Sequence, residues 1–173
     1  MSAPTLERVD ALEPTSAGGD GLAEAIDLGI LELDGDRLRF THPLLSSILY
    51  SEASPARRRE VHARLATVGG AEERAGHLAL ATADPDAAVA TELEDAAWGA
   101  LARGAPQASA ELFGHAARLT PGTNREDAWR RTLDAGDSLL VAGASARARA
   151  AFTTVLEAAP AGPWRARALT RLA

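Results

Sequence analysis

The sequence predicts a mainly α protein, with one β-hairpin near the N-terminus and an α-solenoid of paired helices filling the second half. Three observations predict it. Alanine is the commonest of the 173 residues, and the only aromatics are three Trp, three Phe and one Tyr. That composition favours closely packed helices, because Ala has the best helix propensity and lets backbones approach. Only one stretch alternates apolar and polar residues with the period of a strand. The second half repeats itself, so that Gly104 maps to Gly143 and Pro121 to Pro160, an offset of 39 residues.

Residues 4 to 12 (PTLERVDAL) read as a short helix with Leu6, Val9 and Leu12 on one side. Residues 13 to 20 (EPTSAGGD) are turn formers and read as a loop, with Gly18-Gly19-Asp20-Gly21 as a linker. Residues 21 to 28 form a second short helix, with Leu22, Ala25 and Ile26 inward and Gly29 as its stop. Then the period changes. Ile30 to Leu33 and Arg37 to Phe40 alternate on either side of Asp34-Gly35-Asp36, which is a hairpin signal. Two strands do not stand alone in water, so the hairpin must lean on its neighbouring helices. Helices, one hairpin and a further helix in that order suggest a winged helix.

From Pro43 onward the pattern is helical. Leu44, Leu45, Ile48 and Leu49 make one apolar face, and Pro43 suits a first helical position. Ser54-Pro55 opens the next helix as cap and first-turn proline, with Val61, Leu65 and Val68 inward and Gly69-Gly70 as its end. Residues 71 to 83 follow as another helix, with Ala75, Leu78 and Ala79 in step, and Asp84-Pro85-Asp86 breaks it.

The repeats come next. A helix from about 86 ends at Gly104, and its partner runs from Pro106 to Thr120. A helix from about 124 ends at Gly143, and its partner runs to Ala159. Ala105 maps to Ala144 and Phe113 to Phe152, so each identity has a structural use: turn, tight crossing, packing knob and stop. Two helices per repeat at this length is the signature of an α-solenoid. The second unit is similar to a tetratricopeptide repeat, with Gly136, Ala148, Phe152 and Pro160 at the positions that pattern expects. The first unit keeps Phe113, Ala116 and Pro121 but has Ala97 and Ser109 where the pattern wants glycine and alanine. Trp164 to Ala173 begins like a third repeat and then stops, which reads as a fragment truncated at its C-terminus.

Composition excludes several function classes. The net charge of −6 argues against nucleic-acid binding by the chain itself. All 18 basic residues are Arg, so a phosphate-loop lysine is impossible. With no Cys there is no disulfide framework, thiolate metal site or cysteine nucleophile. No secretory signal and no apolar run of membrane-spanning length is visible, and the expected location is the cytoplasm. His42, His62, His77 and His115 are scattered and form no recognised metal spacing. Glu72-Glu73 and Glu94-Asp95 are adjacent in helices and read as solvated surface. No catalytic residues and no metal ligands are expected.

Four residue groups remain as candidates. His42 stands where the hairpin exits and a helix starts; it either caps that helix or reaches an anion there. Arg57-Arg58-Arg59 is the densest basic cluster, either a solvated first turn or, through Arg57 and Arg58, a contact for an acidic partner. Trp98 and Trp129, with Trp164, fall in the repeats, where they either pack between helices or face a ligand on the concave side.

Phe40-Thr41-His42-Pro43-Leu44-Leu45, followed by Arg74-x-x-His77-Leu78 and alanine-rich helix pairs, resembles the middle of the large ATP-binding LuxR-type transcriptional regulators. These belong to the signal-transducing ATPases that include the maltose-regulon activator. The resemblance covers residues 21 to 173. It implies a winged-helix-like subdomain over 1–52, a helical connector over 53–84 and tetratricopeptide-like repeats over 85–173. It further implies that His42 senses nucleotide by contacting the β-phosphate of bound ADP. The nucleotide-binding module and the helix-turn-helix of such a parent are missing from this chain, so ATP and ADP belong to the parent and no cofactor to the fragment. The implied function is regulatory: coupling nucleotide state, and an unknown inducer or protein partner, to transcription. The chain is expected to be no enzyme on its own and to bind no membrane. A stand-alone tetratricopeptide-like interaction scaffold is the alternative, and the same region of another multidomain ATPase is a further one.

Overall fold

The structure, a computed structural model, describes residues 4 to 7, 9 and 17 to 173, with backbone alone over 17 to 20. It is mainly α, with one antiparallel hairpin followed by a helical solenoid. In chain order the elements are α1 (Ala17–Asp27), β1 (Leu31–Asp34), β2 (Arg37–Phe40), α2 (Pro43–Glu52), α3 (Pro55–Leu65) and α4 (Ala71–Ala81). The repeats follow as α5 (Ala87–Ala102), α6 (Pro106–Leu119), α7 (Arg125–Val141), α8 (Ser145–Ala158) and α9 (Pro163–Leu172), with a 3-10 turn at Gly122–Asn124.

At the N-terminal end the structure corrects two expectations. Pro4 and Thr5 do not start a helix. Thr5 bridges to Arg37, Leu38 N–H donates to Pro4 O at 2.9 Å, and Leu6 N–H donates to Asp36 O at 2.9 Å. The segment thus satisfies backbone groups on the open side of β2, and helical backbone begins at Leu6, with Glu7 and Val9 also helical among the described residues. Leu12 and residues 13 to 16 lie outside the described residues. The expected linker at Gly18 to Gly21 is helical instead, inside α1. Leu22, Ala25 and Ile26 are its half-buried side, as their spacing predicts.

The hairpin pairs Leu31 with Phe40 and Asp34 with Arg37, leaving Gly35-Asp36 as a two-residue turn. Leu38 is the buried side chain of this part, at 5 % exposure. Thr41 fastens the hairpin exit to the end of α1, its hydroxyl donating to Gly29 O at 2.7 Å. The apolar face of α2 is not a core face here: Leu44, Ile48 and Leu49 are exposed and Leu45 is half-buried.

The core lies in the solenoid, in two adjoining clusters. One gathers Ala75 and Ala79 of α4 with Leu93, Ala97, Phe113, Ala116 and Leu119 of the first repeat. The other gathers Leu133, Leu139, Ala148, Phe152 and Val155 with Ala168 of α9. Small residues make the crossings possible. A Cβ at Gly136 would overlap the Phe152 ring, lying 2.8 Å from Cδ1 and Cζ and closer still to Cε1. Gly104 and Gly143 take φ of +78° and +76° to turn the chain between the helices of each repeat, a conformation that a side chain resists.

Polar side chains tie successive layers. Arg103, at the end of α5, meets Glu72 of α4 at 2.7 Å. Arg118 of α6 donates to Ala79 O at 2.7 Å, at the C-terminal end of α4. Arg131 of α7 is 5 % exposed; it donates to Glu94 of α5 at 2.8 Å and to Thr120 Oγ1 at 2.6 Å. Arg130 grips the same Glu94 carboxylate through both terminal nitrogens. Arg171 of α9 holds Asp137 of α7 with two bonds of 2.7 and 2.6 Å. Burial forbids leaving Arg131 and Glu94 unpaired, so that bridge fixes how α5 and α7 stack, while the more exposed Arg103 and Arg171 pairs add to the α4–α5 and α7–α9 contacts.

Candidate functional site

His42 is the N-cap residue of α2. Its Nδ1 accepts the backbone N–H of Leu44 at 3.2 Å, doing with a ring nitrogen what serine or aspartate does with an oxygen. The ring is exposed and borne at a helix start, so the capping role is occupied while its other nitrogen faces outward from that bond.

The arginine cluster divides. Arg57 pairs with Glu60 at 3.0 Å on the surface of α3. Arg58 lays its guanidinium over the ring of Tyr50, 5.3 Å from the centroid, and so joins α3 to the last turn of α2. The tryptophans divide as well. Trp98 is 47 % exposed and meets Phe113 edge-on, ring centroids 4.9 Å apart. Trp129 and Trp164 pack against the second core cluster, and Arg167 lies over the Trp164 ring at 4.9 Å. His42, Arg57, Arg58, Trp98 and Trp129 are therefore not gathered into one site.

Two histidines that sequence spacing sets apart are brought together instead. His62 is only 8 % exposed. Its Nε2 is 3.0 Å from Tyr50 Oη, and its Nδ1 is 3.0 Å from His77 Nδ1. The imidazoles stack with centroids 5.2 Å apart and 28° between planes. Two ring nitrogens in hydrogen-bond contact share one proton, so one imidazole donates and the other accepts. Burial, and then the charge His77 would carry, hold His62 below its ordinary value, which favours its neutral form. Of the expected inward residues Val61, Leu65 and Val68, Leu65 and Val68 are half-buried, but Val61 is exposed and His62 takes the inward place. The true stripe is Arg58, His62, Leu65 and Ala66, at i, i+4, i+7 and i+8. A histidine on that stripe was the available signal, outweighed by the greater hydrophobicity of Val61.

His77 also lines a cleft of about 770 Å³ formed by α4, α6 and the end of α5. Gly76, Leu80, Ala108 and Leu112 give it apolar walls. Glu72, Glu73, Glu111 and Arg103 give it charge, and His115 completes it. Burial is the main reason that His115 is held below the usual histidine range, with Arg118 adding to it. Among the described residues no three His, Asp or Glu side chains gather to hold a metal, and no helix is long and apolar enough to cross a membrane.

No protein-family model matches this chain, and no curated protein or solved structure matches it. The cleft, the histidine pair and the capped start of α2 therefore stand on geometry. They are connected: His77 lines the cleft, His62 bonds His77, Tyr50 bonds His62, and Tyr50 lies in the helix that His42 begins.

Proposed function

We propose that this chain is the regulatory middle of a cytoplasmic, ATP-binding transcription regulator of LuxR type, without catalysis of its own. In this reading residues 1–52 act as a winged-helix-like reader of nucleotide state through His42. Residues 53–84 connect, and residues 85–173 form the tetratricopeptide-like sensor for an inducer or partner. The observation that carries the reading is the hydrogen-bonded chain His77–His62–Tyr50, which leads from the wall of the cleft to the last turn of α2. A relay needs a contact that differs between two states, and a proton shared between the buried His62 and the half-buried His77 would serve as one. Occupation of the cleft beside His77 would alter which imidazole donates, and with it the hold of α3 on α2.

The reading is tested on the gene and then on the parent protein. The reading frame should continue upstream into a GxxxxGK phosphate-loop segment and downstream into a helix-turn-helix. In that parent, His42→Ala should weaken ADP retention. Stop codons and unrelated genes on both sides would sink the regulator reading.

A further inference from the structure

The cleft between α4 and α6 has a chemistry that selects its ligand. Its volume of about 770 Å³ falls within the range of sites that enclose one small molecule. Leu80, Ala108, Leu112 and Gly76 offer it an apolar bed, and Leu80 is 45 % exposed there. Three carboxylates, Glu72, Glu73 and Glu111, line it against one cation, Arg103, which is already paired to Glu72 at 2.7 Å. Glu111 is exposed on α6, where its Oε1 accepts Gln107 Nε2 at 3.2 Å. An anionic ligand would meet this charge unfavourably. The start of α4 also lines the cleft, but its first turn carries Glu72 and Glu73, which already answer the positive end of the helix, and Arg103 stands there without a second arginine to receive a phosphate.

No Phe, Tyr or Trp lines the cleft. That absence matters for the kind of cation. Quaternary ammonium groups, which have no N–H, are held by aromatic faces. Carboxylates hold cations through N–H donors, most strongly when the bond is charge-assisted.

We propose that this cleft binds a small organic cation, a primary amine or guanidine on an apolar body, with its N–H groups on Glu111 and its body on Leu80, Ala108 and Leu112. The proposal rests on the reading of the array as a sensor and names the class of its effector. His77 marks the end of the cleft where a bound cation would be felt by the imidazole pair.

The test uses three probes with the same six-carbon body, hexylamine, hexanol and hexanoate, titrated into the whole chain while backbone amide resonances are followed. Hexylamine is expected to shift Gly76, His77, Leu80, Glu111 and Leu112, and to bind about tenfold more tightly than hexanoate. Glu111→Gln should weaken hexylamine by about tenfold, since one charge-assisted hydrogen bond is lost. Ala108→Leu, which fills the apolar bed, should abolish the shifts without unfolding the helices. Equal or tighter binding of hexanol or hexanoate at these residues would overturn the cation assignment and leave the sensor reading standing. A Leu/Arg-alternating peptide that occupies the same residues and displaces hexylamine at far lower concentration would give the cleft to a protein partner, and would also overturn it. No response to any probe at these residues would remove the cleft as a ligand site. The regulator reading fails separately, on the flanking reading frame.

Discussion

Gly136 and Phe152 occupy one another's space at the crossing of α7 and α8: the ring lies where a glycine side chain would begin. Both residues are buried, Phe152 at 1 % exposure. Gly136→Ala gains up to about 1 kcal/mol of helix propensity. It also forces the ring or the helices apart, at roughly 1–3 kcal/mol or more. The steric term should win, so the variant should melt several degrees lower. Gly136→Ala combined with Phe152→Leu should recover part of the loss relative to the sum of the single variants. Simple additivity in a double-mutant cycle would show that the two residues are not coupled.

The first repeat solves the same crossing with different residues. Ala97 stands at the position equivalent to Gly136, and Ser109 at that equivalent to Ala148. Ser109 Oγ is 3.1 Å from Ser138 Oγ, and Ser138 also donates to Asp134 O at 2.9 Å. With that donor used, Ser109 must donate to Ser138. Ser109→Ala removes the donor and leaves Ser138 its carbonyl partner. The expected change is within about 1 kcal/mol, read by denaturant unfolding. A loss far beyond that would mean the serine pair fixes the crossing.

Glu94 is the hub between the repeats. Its pKa is held below the usual carboxylate value of 4.5, first by the Arg130 hydrogen bond and further by that from Arg131, against burial. Glu94→Ala would strand Arg131, which is 5 % exposed, and should cost roughly 3–5 kcal/mol. A carboxylate with a depressed folded pKa contributes stability that is present above its unfolded value. That stability is lost as pH falls below about 4.5 and through the folded value. Acid melts of the native chain should therefore show a loss in this window that Glu94→Ala no longer shows.

Two histidines act at milder pH. His62 and His115 both lie below the ordinary histidine value of 6.5, and burial is the leading cause in each. As pH falls below about 6.5 the unfolded chain takes up protons that the folded chain resists, so stability present above that value is lost. Thermal melts from about pH 7.5 down to about pH 5 should show a falling midpoint. His62→Leu should flatten part of that slope while lowering the midpoint at neutral pH, because two hydrogen bonds go with it. A midpoint that does not move with pH across the window would mean that the imidazoles accept protons without opening the contact.

His42 separates capping from sensing. His42→Ala should destabilise the isolated chain by about 0.5–1 kcal/mol, the usual loss for an N-cap. His42→Asn should keep the cap and restore the melt. If His42 also holds nucleotide in the parent, the asparagine variant should fold normally and still lose ADP. Retention of ADP by both variants would confine His42 to its cap.

What the sequence made legible was local. Gly104 and Gly143 turn because φ must be positive there; Pro121 and Pro160 follow the helix ends; and the 39-residue offset records the same two helices built twice. The Asp34-Gly35-Asp36 hairpin was equally plain, with Gly35-Asp36 as its turn. What stayed hidden was tertiary. Residues 4 and 5 read as helix but pair with β2, because an open strand edge offered their backbone groups partners. A rotation of α3 by one residue decides between Val61 and His62, and sequence spacing does not fix that rotation. The cleft was invisible because its walls come from three helices. Glu72, Glu73 and Glu111, taken singly, are indistinguishable from solvated surface.

The uneven distribution of buried side chains has a mechanical consequence. Before His62, Leu38 is the buried hydrophobic side chain among the described residues, whereas from Ala75 to Ala168 the buried residues form two adjoining clusters. Among the described residues, a cation–π contact and a tyrosine–histidine hydrogen bond tie α2 to α3, each worth about 1 kcal/mol. Such a molecule does not open as one unit. Amides of β1, β2 and α2 should exchange with solvent through a low-energy partial opening, while those of α5 to α8 wait for global unfolding. Proteases should first cut ahead of α3, trimming the chain to a resistant helical body. The portion that bears His42 is thus the part most easily released, and in a larger protein the part most readily recaptured by another surface.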